Sequence, residues 1–373
     1  MSDSMYLSQV ALLGGVLLLV LRRSSFVLRA QVVVWMIGVS IIVLRFGVTE
    51  QLNFYSNDQR YYVSIVREIA LLNIPLDVDW WLTYSKLPYT FPAAVLAAIG
   101  IAPSLALKVI SLMCLLLVTR IVVAVVSPQT LRSTVTAVFL TACGGIGMLY
   151  SVLALRETMM LLLVTFFFAS KSPASRLISI VLLLLLRPHL AAALVTAALI
   201  VYLWESLRGK RRESTLSIAT LTMFSVLVGS VVYSAGLWWQ TGGQGLFRPE
   251  WGIPLFTRVA SNFMGLQFLT VDSETTEYSL TSLLFLRIFL SETILIPLLF
   301  ITSLLLRPNM ATTRGRLALV ALSLYVGLAT NTDFNSFRQN IPFMAVMGMV
   351  IITTWTPVKQ QIADTPSRAS SIT

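Results

Sequence analysis

Long apolar runs recur along this chain, separated by short polar joints. In a lipid environment every backbone N–H and C=O must be satisfied within the protein, so such runs fold only as helices or closed barrels. A spanning helix needs about 20 apolar residues, in a range of roughly 17–25. Runs near 5–21, 29–47, 104–126, 133–151, 156–170, 174–188, 189–206, 214–236, 282–306, 317–331 and 340–356 approach or meet that length. The expected fold class is an all-α integral membrane protein, a polytopic bundle of about 11 transmembrane helices with amphipathic or re-entrant helices on its outer face. The segment 91–101 is apolar but too short to cross, and is expected to dip into or lie on the outer leaflet.

Composition agrees. Hydrophobic residues make up 57% of the 373 and charged residues 12%; a soluble domain carries about twice that charge. Cys114 and Cys143 both sit in apolar runs and read as small core residues. His189 is the single histidine, which excludes a multi-histidine metal centre. The net charge of +11 does not indicate nucleic acid, because the basic residues fall in short joints between apolar runs, the pattern of the positive-inside rule. The stretch 5–21 lacks a preceding basic region and a small-residue cleavage site, and reads as a retained first helix.

One alternation places Arg22, Arg23, Arg29, Lys171, Arg176, Arg208, Lys210, Arg211, Arg212, Arg307, Arg314, Arg316, Lys359 and Arg368 together in the cytoplasm. Asp58, Glu68, Asp77, Asp79, Glu157, Glu250, Asp272, Glu274, Glu277 and Asp333 then face outward. Residues 1–356 are expected to form one transmembrane domain with long outer loops at about 48–103 and 237–281, and 357–373 a disordered cytoplasmic tail. No convincing internal repeat is present, which weakens an inverted-repeat transporter.

Five polar constellations interrupt the apolar pattern. The first is Tyr55-Ser56-Asn57-Asp58-Gln59-Arg60-Tyr61-Tyr62. Apolar positions 62, 63, 65, 66, 69, 70 and 72 follow at helical spacing, predicting an amphipathic helix with Asp58 just before or within its first turn. Asp58 is either a helix cap, favoured there by the dipole, or a general base acting on a hydroxyl. The second is Asp77-Val78-Asp79-Trp80-Trp81 followed by Lys86. It reads as an interfacial aromatic belt with a snorkelling lysine, or as carboxylates and rings shaping a sugar site. The third is Arg156-Glu157, charges at membrane depth that form a mutual pair or line a polar cavity. The fourth is Leu186-Arg187-Pro188-His189, an outer turn with an arginine that has no obvious local carboxylate; its histidine reads first as interfacial. The fifth is the last outer loop, with Asp333 and Arg338 as a surface pair or Arg338 as an anion ligand. Arg156, Arg187 and Arg338 on one side point to an anionic ligand with its head at the membrane surface, and a lipid phosphate or diphosphate fits. No P-loop, GxGxxG, HExxH or GxSxG pattern occurs.

In this order the motifs resemble the GT-C superfamily of multi-span glycosyltransferases, the protein O-mannosyltransferase and aminoarabinose-transferase type. Asp58-Gln59-Arg60-Tyr61-Tyr62 is similar to that family's acidic first-loop element. Lys86-Leu87-Pro88-Tyr89 with 91–101, Leu153-Ala154-Leu155-Arg156-Glu157, Leu186-Arg187-Pro188 and Arg338-Gln339-Asn340-Ile341-Pro342 match its later elements, over about residues 30–356. The resemblance implies inverting transfer of a sugar from a polyprenyl-phosphate or diphosphate donor to a glycan, lipid or protein acceptor, at the extracytoplasmic face of a cytoplasmic membrane. Asp58 would be the base; Lys86, Arg156, Arg187, His189 and Arg338 would bind the lipid phosphate. Tyr61, Tyr62, Asp77, Asp79, Trp80 and Glu157 would bind acceptor or sugar. The family's acidic pair is Asn57-Asp58 here, so a divalent metal has no paired-carboxylate motif behind it. The same elements resemble polysaccharide polymerases of the Wzy and EpsG type. A lipid-sugar flippase or transporter is the alternative of a different class.

Overall fold

The computed structural model describes residues 2–50, 56–72, 86–126, 145–153, 155–208, 214–240, 295–307, 312–329 and 341–355. The outer loop 237–281 lies almost wholly outside them. So do the tail 357–373, the first parts of the runs 133–151 and 282–306, and Cys143, Asp77, Asp79, Trp80 and Arg338. Among the described residues every regular element is helical.

The chain opens with α1 (Asp3–Val20), capped by the Ser2 side chain and carrying Asp3 in its first turn, where a carboxylate complements the helix dipole. A 3₁₀ turn, Leu21–Arg23, leads into α2 (Phe26–Glu50). Then follow α3 (Ser56–Ala70), α4 (Leu87–Ala98), α5 (Pro103–Val126) and α6 (Gly145–Val152). The second half holds α7 (Glu157–Ala169), α8 (Pro173–Leu186), α9 (Pro188–Arg208), α10 (Thr215–Gln240), α11 (Leu295–Leu306), α12 (Thr313–Ala329), a 3₁₀ turn at Ile341–Phe343 and α13 (Met344–Trp355).

Four helices are long and apolar enough to cross a membrane by length and composition: Asp3–Arg23, Phe26–Val48, Pro103–Val125 and Pro188–Leu207. Of the other expected runs, 156–170, 174–188 and 317–331 coincide with helices of 13, 14 and 17 residues, and 214–236 with the 26-residue α10. At about 1.5 Å per residue, α4 reaches roughly two-thirds of a 30 Å hydrocarbon core. It ends in a Schellman turn, with the Gly100 N–H on the Ala97 carbonyl (3.0 Å) and the Ile101 N–H on the Leu96 carbonyl (3.2 Å). Gly100 supplies the positive φ of 97° that this turn needs.

Cross-links between helices fix their directions. At one end, called upper, the Asp3 carboxylate accepts the Val48 N–H at 2.9 Å, and Gln9 clasps the α4–α5 turn through the Gly100 carbonyl (3.0 Å) and the Ala102 N–H (3.1 Å). At the lower end Arg316 pairs with Glu205, Thr215 donates to the Leu305 carbonyl at 3.0 Å, and Arg307 donates to the Thr354 carbonyl at 3.1 Å. Thus α1, α5, α7, α9, α11 and α13 descend, while α2, α8, α10 and α12 return. Arg22, Arg23, Lys171, Arg176, Arg307, Arg314 and Arg316 all emerge at the lower end, as the alternation expects.

Helix α5 is the central post, packed by α2, α3, α4, α6, α7 and α13. The fully buried Trp35, Tyr89, Tyr150, Phe300 and Phe343 fill the bundle. Leu12, Leu44, Leu177, Leu199, Leu216 and Phe224 stand exposed around it, as apolar surface facing lipid does.

Candidate functional site

The upper end is built around the corner joining α6 to α7. Carbonyls at a helix's carboxyl end lie beyond the reach of intrahelical donors and need partners from elsewhere. Here side chains from other helices supply them. The Gln59 amide of α3 donates to the Leu153 carbonyl. The Ser111 hydroxyl of α5 and the Thr158 hydroxyl each donate to the Leu155 carbonyl at 3.4 Å. Ser111, having given its hydrogen to Leu155, receives one from the Tyr89 hydroxyl at 2.9 Å. Arg156 caps α7 through its carbonyl, which accepts the Met159 and Met160 N–H groups at 3.1 Å. Its guanidinium reaches across to the Leu186 carbonyl at the end of α8 (Nη1, 2.9 Å). Glu157 opens α7 and is 2% exposed.

Arg187 follows Leu186 directly. Its backbone is extended (φ −158°, ψ 88°) because the residue ahead of a proline is excluded from the helical region, and Pro188 then starts α9. The Arg187 guanidinium lies 5.7 Å from the ring centroid of Tyr325 on α12. Tyr325 in turn rests against Phe343 at 5.9 Å. His189 is exposed in the first turn of α9. Lys86 is half-buried and precedes α4, where its carbonyl accepts the Tyr89 and Thr90 N–H groups; α4 packs against α8. The structure therefore brings Arg156 and Glu157 to the Leu186-Arg187-Pro188 turn, with His189 two residues beyond Arg187, and sets Lys86 three residues ahead of Tyr89, which bonds Ser111 at the same corner. The amino ends of α7 and α9 open at this corner, where their dipoles add positive potential.

Asp58 is the third residue of α3, in its first turn. Helical spacing puts its position on the face of Tyr61 and Tyr62, three and four residues on. Tyr61 is exposed at 39%, whereas Tyr62 is buried at 3%, edge-on to Tyr89 with centroids 5.7 Å apart. Tyr62 is thus a packing residue between α3 and α4. Among the described residues no group of three or more His, Cys, Asp or Glu side chains could hold a metal ion.

Three features of this end escaped sequence reasoning. Gln59 stands beside the more conspicuous Asp58, although a polar residue opening an amphipathic helix signals a buried bond when it falls on the apolar face. Tyr325 sits in an apolar run and gives no local signal. Lys108, 2% exposed with its ammonium 5.7 Å from the Tyr6 ring centroid, is the residue that a scan for charges within apolar runs finds.

No family model matches the chain, and no curated protein or solved structure matches it.

Proposed function

We propose that this chain is a membrane glycosyltransferase that moves a sugar from a polyprenyl-phosphate or diphosphate donor to an acceptor hydroxyl. In this reading the chain crosses the membrane about eleven times, with the lower end in the cytoplasm and the upper end outside. Asp58 takes the acceptor proton as the hydroxyl oxygen bonds to the anomeric carbon. The bond from that carbon to the phosphate oxygen breaks with inversion, and the phosphate leaves bearing the electron pair. Arg187 binds the leaving phosphate, with Arg156, Lys86, His189 and Arg338 adding positive charge. Tyr61, Asp77, Asp79, Trp80 and Glu157 contact sugar or acceptor, and Tyr62 backs the face that carries Asp58.

The observation that most supports this reading is the junction of Arg156 with the Leu186-Arg187 turn, at the corner to which Gln59 ties the helix bearing Asp58. A planar guanidinium suits phosphate oxygens, and charges at membrane depth mark functional sites. The test is transfer from radiolabelled polyprenyl-phosphate and polyprenyl-diphosphate sugars by protein in lipid nanodiscs. The wild type transfers. Asp58→Asn elutes as a folded species and loses about 100-fold or more in rate, the usual contribution of a general base. Full activity of Asp58→Asn removes Asp58 from that role.

A further inference from the structure

We infer that Gln59 is a positioning residue that sets the register of Asp58 against the Arg156–Glu157 corner. The inference rests on the glycosyltransferase reading. Gln59 is 2% exposed, so its amide is committed to the protein interior. It bonds the carbonyl of Leu153, three residues before Arg156 and 94 residues away in sequence. The amide is therefore a polar link, across that separation, between the first turn of α3 and the corner that carries Arg156. A second link, one turn further along α3, runs from the Tyr62 ring to Tyr89 and on through Ser111 to the Leu155 carbonyl. The Tyr62 link is an apolar ring contact that tolerates sliding; the Gln59 bond is directional and fixes both the height and the rotation of the first turn. Position 58 lies about 100° around α3 from Gln59, so holding Gln59 fixes the direction in which position 58 points, and a rotation of α3 by a fraction of a turn changes it.

Gln59→Met keeps the length and volume but removes the donor. Its expected effect is a fall in kcat of about 100-fold, the consequence of roughly 1 Å of misplacement, with the donor KM within about threefold because Gln59 does not touch the lipid phosphate. Gln59→His retains a ring N–H at similar reach and recovers part of the rate. If Gln59→Met does not elute as a folded species, Gln59→Leu takes its place, close in volume and without a donor.

Distances between spin labels at Ser64→Cys on α3 and Leu184→Cys on α8, measured in a background without Cys114 and Cys143, read the register without activity. They are narrow with Gln59 and broad with Gln59→Met. A narrow distribution in the variant overturns the inference, and so does an unchanged kcat. If wild-type protein transfers sugar from neither donor class, the glycosyltransferase reading fails, while the label distances still decide whether Gln59 sets the register.

Discussion

Arg187, to which the proposed function gives the leaving phosphate, is steadied by an aromatic ring. Its guanidinium lies over the Tyr325 ring on a different helix, and such a contact is worth about 0.5–2 kcal/mol. Arg187→Lys keeps the charge but loses the planar fork, and donor titration is expected to show KM rising about tenfold or more. Tyr325→Phe keeps the ring and leaves the donor KM near wild type, whereas Tyr325→Leu raises it by about 2- to 30-fold, the same energy expressed as a ratio. Equal effects of Phe and Leu would show that the ring does not steady Arg187. Legibility divides along the same line. Arg156 and Arg187 were readable because charge in an apolar run is conspicuous wherever it points. Gln59 and Tyr325 were not, because their meaning lies in partners far along the chain, Leu153 and Arg187.

At the level of elements, boundaries follow local chemistry. The pairs Arg187-Pro188 and Ser172-Pro173 start helices where a proline at the first helical position loses nothing. The apolar stripe expected on α3 is buried at Tyr62, Val63, Ile65 and Val66, but Ile69 and Ala70 are half-buried and Leu72 is exposed. The stripe fades because α3 ends at Ala70 and Leu72 takes a left-handed φ of 56°. The expected short segment 91–101 begins four residues earlier, at Leu87, since Pro88 is a helix starter that hydropathy alone undervalues. Gly47 interrupts α2 with φ 69° and ψ 170°, a conformation open essentially to glycine and costing other residues about 1–3 kcal/mol. Gly47→Ala is therefore expected to lower the melting temperature in detergent. Gly14 lets α1 lie directly on the Met36 side chain of α2. Gly14→Leu should loosen α1, seen as faster proteolysis in the 21–25 turn with little change at the upper corner.

For the whole molecule, the alternation of directions was legible from the basic joints, but the pairing was not. Every apolar run resembles the next, and nothing in composition marks α5 as the central post. The polar ties that mark it, such as the Gln31 amide on the Thr119 hydroxyl at 2.9 Å, are single residues within apolar runs. The lower end is tied by side chains from several helices. Glu205 holds Arg316 and Thr313, Arg307 reaches Thr354, and Thr215 reaches Leu305. A transporter must part such ties in each cycle; an enzyme working at one face keeps them. Single-cysteine labelling separates the two. His189→Cys is expected to react with an impermeant maleimide from the upper side, whereas cysteines at Leu194, Ala197 and Val201, all buried along α9, stay unreactive. A continuous reactive track down α9 would favour transport. The Asp3 carboxylate on the Val48 N–H has a practical corollary: a purification tag is better fused at the carboxyl terminus, because one placed ahead of Ser2 adjoins the residue that ties the start of α1 to the end of α2.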